Sequence, residues 1–362
     1  MTQEGLPHKP HYPALDGIRG IAILLVIVYH NFGFIDVFFF GWLGVDLFFV
    51  LSGFLITDIL LRKQREQGFL KKFFIRRALR ILPLYYLVLF VFLILLPFLE
   101  KNFLDLDYYI SNQLWFWTYL QNWLLIFHPP EHAISLTHLW SLAVEEQYYL
   151  IWPFCILLIK KPQRLFFLLF IILLLVIFIR LIVWIYKIES LAYFNFYTFS
   201  RIDGICIGSM LALARKFAPS QTTKSFTAII FLLASLNFIF YFINKQYDFS
   251  FPFLAIVGYT TFATVFGLLL NEIIVSKDSL IRVCFENKVL RFFGTISYGL
   301  YIIHWPTYIV LKTHAAGLFQ SYFFHSANFM ISMSATVISI IISYLSFHFY
   351  EKPFLKMKEK FL

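Results

Sequence analysis

Ten stretches of mostly apolar residues alternate with short polar segments along the 362-residue chain. A helix needs roughly 20 residues to cross the hydrocarbon core of a bilayer, and each stretch is about that long. The fold class that follows is all-α: a polytopic membrane protein whose helices form a bundle. The predicted transmembrane helices are residues 18–36, 42–62, 78–99, 142–160, 165–187, 197–216, 226–244, 253–275, 293–312 and 328–350.

The basic residues between these stretches are distributed unevenly. Loops that would lie on the side of the N-terminus hold most of the lysines and arginines, including the cluster between Arg62 and Arg80. The alternate segments hold only Lys101, Lys187, Lys245 and Lys312. Because cytoplasmic loops carry an excess of Lys and Arg, both termini are predicted to be cytoplasmic.

The remaining sequence leaves no room for a separate soluble domain. The longest predicted outer segment, about 100–141, is rich in Trp and Tyr and is expected to lie on the membrane as short helices. The first sixteen residues are polar and no cleavage site follows, so the first helix is expected to remain as an anchor. We therefore treat residues 1–362 as one membrane-embedded domain with a core at about 15–353.

Composition excludes other classes of protein. Hydrophobic residues make up 60% of the chain and charged residues 14%, which is typical of a membrane protein and not of a soluble domain. The net charge of +10 could suggest a nucleic-acid partner, but the basic residues lie in short loops and fit the topology better. Three scattered cysteines predict neither a disulfide framework nor a metal site.

Two polar residues stand out in the first predicted helix. Arg19 and His30 are eleven residues apart, which is three helical turns and about 16 Å along one face. Ionisable groups inside a spanning helix cost roughly 3 kcal/mol or more to insert and usually mark a functional site. This helix therefore presents a cation near its start and a titratable imidazole deep within it.

The predicted topology sorts the other polar residues into two layers. Arg77 and Arg80 lie at the inner face, on one side of a helix, and paired guanidiniums suit recognition of phosphate. A histidine beside a carboxylate in the outer half suits a general base, and His30 is predicted at the depth where Glu145 enters, so that Glu145 would orient its imidazole or stabilise the charged form. The outer-half residues are His30, Asp46, Glu145, Glu146, Arg201, Asp203 and His304. A phosphate-bearing donor inside and base-assisted chemistry further out together indicate group transfer across a bilayer.

Six motifs occur in a fixed order along nearly the whole chain. They are LDGIRGIAILLVIVYH, GVDLFFVLSGFLI, the R-x-x-R of Arg77 and Arg80, LWSLAVEEQYYLIWP, YGLYIIHWP and YEKP. In this order they resemble the acyltransferase-3 family of integral membrane acyltransferases. Some members carry an additional esterase-like domain, and this sequence resembles the form without one.

The resemblance implies transfer of an acyl group, commonly acetyl, from cytoplasmic acetyl-CoA or another acyl-CoA to a hydroxyl group. The acceptor would be a sugar of a surface polysaccharide or lipid-linked glycan, and the location a bacterial inner membrane. His30 would be the catalytic histidine, with Arg19, Glu145 and Asp46 as further catalytic residues. Arg77 and Arg80 would bind the donor, without a metal. The substrate cavity would include Trp140, Arg201, Asp203, Tyr301 and His304.

Several alternatives remain open at this stage. Asp46, Arg201 and Asp203 could form a purely structural set of ion pairs, and Ser52 is more typical of helix packing than of a nucleophile. A secondary transporter or exporter of a glycan or metabolite would also have about ten helices with buried charges. A transient acyl-histidine is an alternative to direct transfer.

Overall fold

The computed structural model describes residues 13–99, 106–132, 134–186, 198–219, 226–246, 253–275, 280–317 and 326–357. Helices dominate these residues, and no β-strand occurs among them. The ten long helices are α1 Pro13–Phe32, α2 Leu43–Lys63, α3 Phe69–Phe90, α4 Trp140–Leu158, α5 Pro162–Ile185, α6 Asp203–Phe217, α7 Thr227–Gln246, α8 Tyr259–Val275, α9 Lys288–His314 and α10 Ala327–Leu345.

Each predicted span overlaps one of these helices. Within the described ranges, however, only six helical segments are both long and apolar enough to cross a membrane. These segments are Pro13–Phe32, Asp36–Lys63, Phe69–Phe98, Pro162–Ile185, Ile256–Val275 and Ala327–Met357. The shortest of the ten is α6, whose 15 residues cover about 22 Å against a hydrocarbon core of about 30 Å. The all-α membrane fold is confirmed, whereas ten spans and the cytoplasmic termini stay predictions.

The segment between α3 and α4 forms short helices. They are Leu106–Ser111, Gln113–Trp117 and Gln121–Phe127. A 3₁₀ turn, Thr137–Leu139, then leads directly into α4. This turn brings residues of the loop into the bundle before α4 begins.

The centre of the bundle is formed by α1, α2, α6 and α9. α1 packs against α9 and α2, α2 packs against α6, and α6 also contacts α5 and α8. Outer helices such as α5 expose large apolar side chains, among them Phe167, Leu174 and Phe178. Such surfaces are expected where helices face lipid.

Glycines allow α1 and α9 to approach backbone to backbone. A Cβ atom on Gly294 of α9 would overlap the carbonyl oxygen of Asp16, and one on Gly20 would overlap that of Leu290. Small residues at such positions let helix backbones come close. The contact fixes the register between two helices that both carry a histidine near the same level.

Replacing Gly294 with alanine should force α1 and α9 apart. Overpacking of this kind costs about 1–3 kcal/mol, so the protein should unfold at a lower temperature in detergent. Gly317→Ala is the matched control, because nothing lies within 4 Å of a Cβ atom there. Equal thermal unfolding midpoints for the two variants would contradict the close approach.

Candidate active site

A cavity of about 200 Å³ opens among α1, α2, α3, α4 and α9. Its charged lining consists of Arg19, Arg77, Arg80 and Glu145. Apolar side chains of α2, together with Ser52, form much of the remaining wall. Three guanidiniums face one carboxylate, so the cavity is suited to a ligand with several negative charges. The structure thus brings Arg19 together with the R-x-x-R pair.

The cavity lining is connected by direct contacts. The Arg77 guanidinium carbon lies 3.9 Å from the centre of the Tyr149 ring. Tyr149 Oη donates a hydrogen bond to Glu145 Oε2 at 3.1 Å and also bonds to Ser52 Oγ. Arg19 Nη1 pairs with Asp16 Oδ1 at 2.5 Å. Tyr149 therefore couples the cationic and anionic sides of the cavity.

The position of α3 is fixed by tyrosines from the C-terminal part of the chain. Tyr298 Oη of α9 donates to the carbonyl oxygen of Ile81 at 2.5 Å. Tyr350 Oη donates to the carbonyl oxygen of Pro83 at 3.2 Å. Residues three apart lie on the same side of a helix, so this anchoring orients Arg77 and Arg80 together.

Three histidine rings form a cluster next to this cavity. His30 Nδ1 lies 3.0 Å from His304 Nε2, and their ring centres are 5.1 Å apart. The ring of His138 lies 5.4 Å from that of His304 and 6.5 Å from that of His30. His304 and His138 are buried, whereas His30 is only partly buried. In the described part of the chain these rings do not have the arrangement of a metal site.

Tyr301 and Ser141 connect the arginine cavity to the histidines. Both residues line the cavity, and their hydroxyl oxygens are 2.5 Å apart. Tyr301 Oη also donates to the carbonyl oxygen of His138 at 2.8 Å. His304 follows Tyr301 by one helical turn, and His138 precedes Ser141 by about one turn. The two parts of the site are therefore adjacent.

The position of Glu145 differs from the sequence-based expectation. Glu145 was expected beside His30, but it lines the arginine cavity and bonds to Tyr149, while His30 Nδ1 lies within hydrogen-bonding distance of His304 Nε2. The reason is the 3₁₀ turn before α4, which puts His138 at the level of His30. Glu145 follows His138 by seven residues, which is about 10 Å along a helix.

Asp46, Arg201 and Asp203 form a separate layer of buried ion pairs. Arg201 Nη2 lies 2.7 Å from Asp46 Oδ1, and Arg180 Nη2 lies 2.9 Å from Asp203 Oδ2. The Arg201 guanidinium also lies 3.9 Å from the centre of the Tyr259 ring. The two ion pairs join α2, α5, α6 and the short helix Thr198–Arg201 that precedes α6, and the ring contact adds α8. The residues named here are not part of the arginine-cavity lining.

Trp140 belongs to the same layer and not to the arginine-cavity lining. Its ring centre lies 5.4 Å from the Arg201 guanidinium carbon and 5.9 Å from the ring centre of Phe49. Of the residues expected in a substrate cavity, only Tyr301 lines the cavity described here. His304 instead contacts His30, one turn away from that cavity.

The structure also reveals residues that the sequence interpretation missed. Arg180 is fully buried in the apolar run of α5, where a lone arginine is itself a signal of a partner. His138 was passed over because it precedes the predicted span, although it lies beside the LWSLAVEE motif. Tyr149 lies within that motif, but its type gives no sign of the contact with Arg77.

Comparison with known proteins now identifies the family. A model of the acyltransferase-3 family, described as an acyltransferase domain, matches residues 12–348. The chain belongs to the acyltransferase-3 family. Together with the six apolar helical segments, membership of this family identifies a multi-pass membrane protein. No solved structure matches the chain.

Three curated relatives of this acyltransferase-3 chain carry names that mention O-acetyl transfer. Peptidoglycan O-acetyltransferase OatA of Listeria monocytogenes is 31% identical over 365 residues, which are 96% of this chain and 56% of that protein. The putative peptidoglycan O-acetyltransferase YrhL of Bacillus subtilis is 31% identical over 96% of this chain and 55% of its own length. The putative O-acetyltransferase SACOL0978 of Staphylococcus aureus is 32% identical over 96% and 58%, respectively. The chain thus spans just over half the length of these relatives.

The buried pair of Asp46 and Arg201 should be structural. Asp46→Asn would leave Arg201 buried without its carboxylate, which costs about 3–5 kcal/mol, so the protein should unfold at a clearly lower temperature in detergent. The double variant Asp46→Leu/Arg201→Leu should recover much of this loss. Glu66→Gln, which removes an exposed pair with Lys63, is the control and should cost at most about 1 kcal/mol. An Asp46→Asn protein as stable as wild type would contradict this role.

Proposed function

We propose that the protein is a membrane O-acyltransferase that moves an acyl group, with acetyl favoured, from acyl-CoA to a hydroxyl group of a sugar. One observation carries this proposal. The cavity lined by three arginines is also lined by Tyr301 and Ser141, and Tyr301 lies one helical turn from His304, which contacts His30. A binding site for a polyanion and a candidate base are thus adjacent.

The arginine cavity supports the donor half of the reaction. Guanidinium groups bind phosphate oxygens through charge-assisted and often bidentate hydrogen bonds. Pockets for drug-sized ligands measure about 300–1,000 Å³, so a cavity of about 200 Å³ would hold only part of a CoA thioester. We assign the pyrophosphate to Arg77 and Arg80. The loops on the side of the N-terminus, which include the cluster between Arg62 and Arg80, hold an excess of basic residues. This excess supports entry of the donor from the cytoplasm.

The histidine supports the chemical step. In the proposed reaction the imidazole of His30 removes the proton from the acceptor hydroxyl while that oxygen attacks the thioester carbonyl carbon. The tetrahedral intermediate then collapses, the C–S bond breaks, and the departing CoA sulfur takes up the proton from the imidazolium. The products are an O-acyl ester and free CoA, and His30 returns to its neutral form.

The relatives support a carbohydrate acceptor. Two of them are named as peptidoglycan O-acetyltransferases, one of these putatively. We propose by analogy that the acceptor is a cell-surface polysaccharide or a lipid-linked precursor, and that the enzyme works in the plasma membrane of a bacterium. His30 is partly exposed, which suits contact with a substrate hydroxyl.

The double variant Arg77→Gln/Arg80→Gln should bind CoA at least tenfold more weakly than wild type. Loss of charge-assisted contacts, each worth about 1.5–3 kcal/mol, is the physical reason. Calorimetric titration of CoA into the protein in nanodiscs measures the affinity. Arg62→Gln is the control, because Arg62 is exposed and pairs with Asp58 outside the cavity. CoA affinity that is the same in the double variant and the control would refute the donor site.

A further inference from the structure

The proton of the His304 ring can be located from its surroundings. His304 Nδ1 lies 3.0 Å from the carbonyl oxygen of Leu300 and 2.8 Å from that of Tyr301. Carbonyl oxygens only accept hydrogen bonds, so Nδ1 must carry a proton. In a neutral imidazole the other nitrogen, Nε2, then holds a lone pair and is an acceptor.

This assignment determines the tautomer of His30. His304 Nε2 lies 3.0 Å from His30 Nδ1, and this hydrogen bond needs one proton. Because Nε2 of His304 is the acceptor, His30 Nδ1 must be the donor. The lone pair of a neutral His30 is therefore on Nε2, on the far side of the ring from His304.

A hydrogen bond in the opposite direction, from His304 to His30, would require a buried positive charge on His304. His304 could donate from Nε2 only as an imidazolium, and its side chain is fully buried. The hydrogen-bonding contacts of its ring are with the carbonyl oxygens of Leu300 and Tyr301 and with the His30 ring, and none of these carries a negative charge. The carboxylates of the candidate site bond to other groups, such as that of Glu145 to Tyr149. An isolated buried cation is costly, so the neutral form of His304 is favoured.

We propose that His304 is a positioning residue that holds His30 with its proton on Nδ1 and its lone pair on Nε2. The inference rests on the proposed function, because it takes His30 to be the base. His30 Nε2 would receive the proton of the acceptor hydroxyl. The resulting imidazolium would keep its Nδ1–H bond to His304, which becomes charge-assisted and stabilises the positive charge. His304 thereby orients the His30 imidazole, a role that was expected of the Glu145 carboxylate.

Replacing His304 with leucine should lower kcat and leave donor binding unchanged. Without its acceptor the His30 ring can take the other tautomer or rotate, and a misplaced catalytic group can cost about 10²-fold in rate. The KM for acetyl-CoA and the affinity for CoA should stay near wild type, because the arginine cavity is untouched. Gel filtration and CoA binding verify that the variant is folded.

His304→Gln is the conservative variant. Its side-chain carbonyl can still accept a hydrogen bond from His30 Nδ1, so it should recover most of the rate that leucine loses. The assay follows acetyl transfer from acetyl-CoA to soluble peptidoglycan oligosaccharides. A leucine variant with wild-type kcat, or a glutamine variant no better than leucine, would overturn the proposal.

The tautomer itself can be observed without any activity measurement. In ¹⁵N-histidine-labelled protein, the His30 signals are assigned by their loss in His30→Asn. Wild-type His30 should show a protonated Nδ1 and an unprotonated Nε2. In His304→Leu the His30 signals should show a mixture of the two tautomers. A wild-type ring protonated on Nε2 would overturn the tautomer assignment. Absence of acetyl transfer by wild type would instead contradict the proposed function, and the NMR result would still decide the tautomer.

Discussion

The contact between α1 and α9 determines the geometry of the candidate site. Small residues such as Gly294 and Gly20 let the two backbones meet, and this approach puts His30 and His304 within hydrogen-bonding distance. A larger side chain at the contact would separate the helices and the rings together. Packing of two helices, rather than any local motif, therefore creates the histidine pair.

The cost of placing charge inside a membrane protein explains much of the remaining arrangement. Buried ionisable groups are expected to pair with one another or to line a cavity. The structure uses both solutions. Arg180 and Arg201 pair with Asp203 and Asp46 and join four helices. Arg77 and Arg80 line a cavity, in which a polyanionic ligand would complete their interactions.

Much of the fold could be predicted from the sequence because apolar runs of bilayer length are a strong signal. All ten predicted stretches overlap a helix, and Arg19, Arg77 and Arg80 come together at one cavity. The count of spans could not be established in this way, because helices such as α6 are shorter than a bilayer requires.

Side-chain partners were harder to predict, since they depend on helix register and rotation. With a predicted span that begins at residue 142, Glu145 is expected near the outer end of the helix, beside His30. The 3₁₀ turn at Thr137–Leu139 shifts the register, so His138 occupies that level and Glu145 lies about 10 Å further along. The pairing of His304 with His30 joins residues 274 positions apart. Neither local propensity nor spacing carries that information.

The most direct test of the account is acetyl transfer by the His30→Ala protein in nanodiscs. With acetyl-CoA as donor and soluble peptidoglycan oligosaccharides as acceptor, wild type should form the O-acetyl ester and release CoA. Loss of a positioned base should lower turnover by about 10²-fold or more while CoA binding persists. His128→Ala, at an exposed histidine outside the site, is the control. Near-normal transfer by His30→Ala would contradict the central claim that this imidazole carries the reaction.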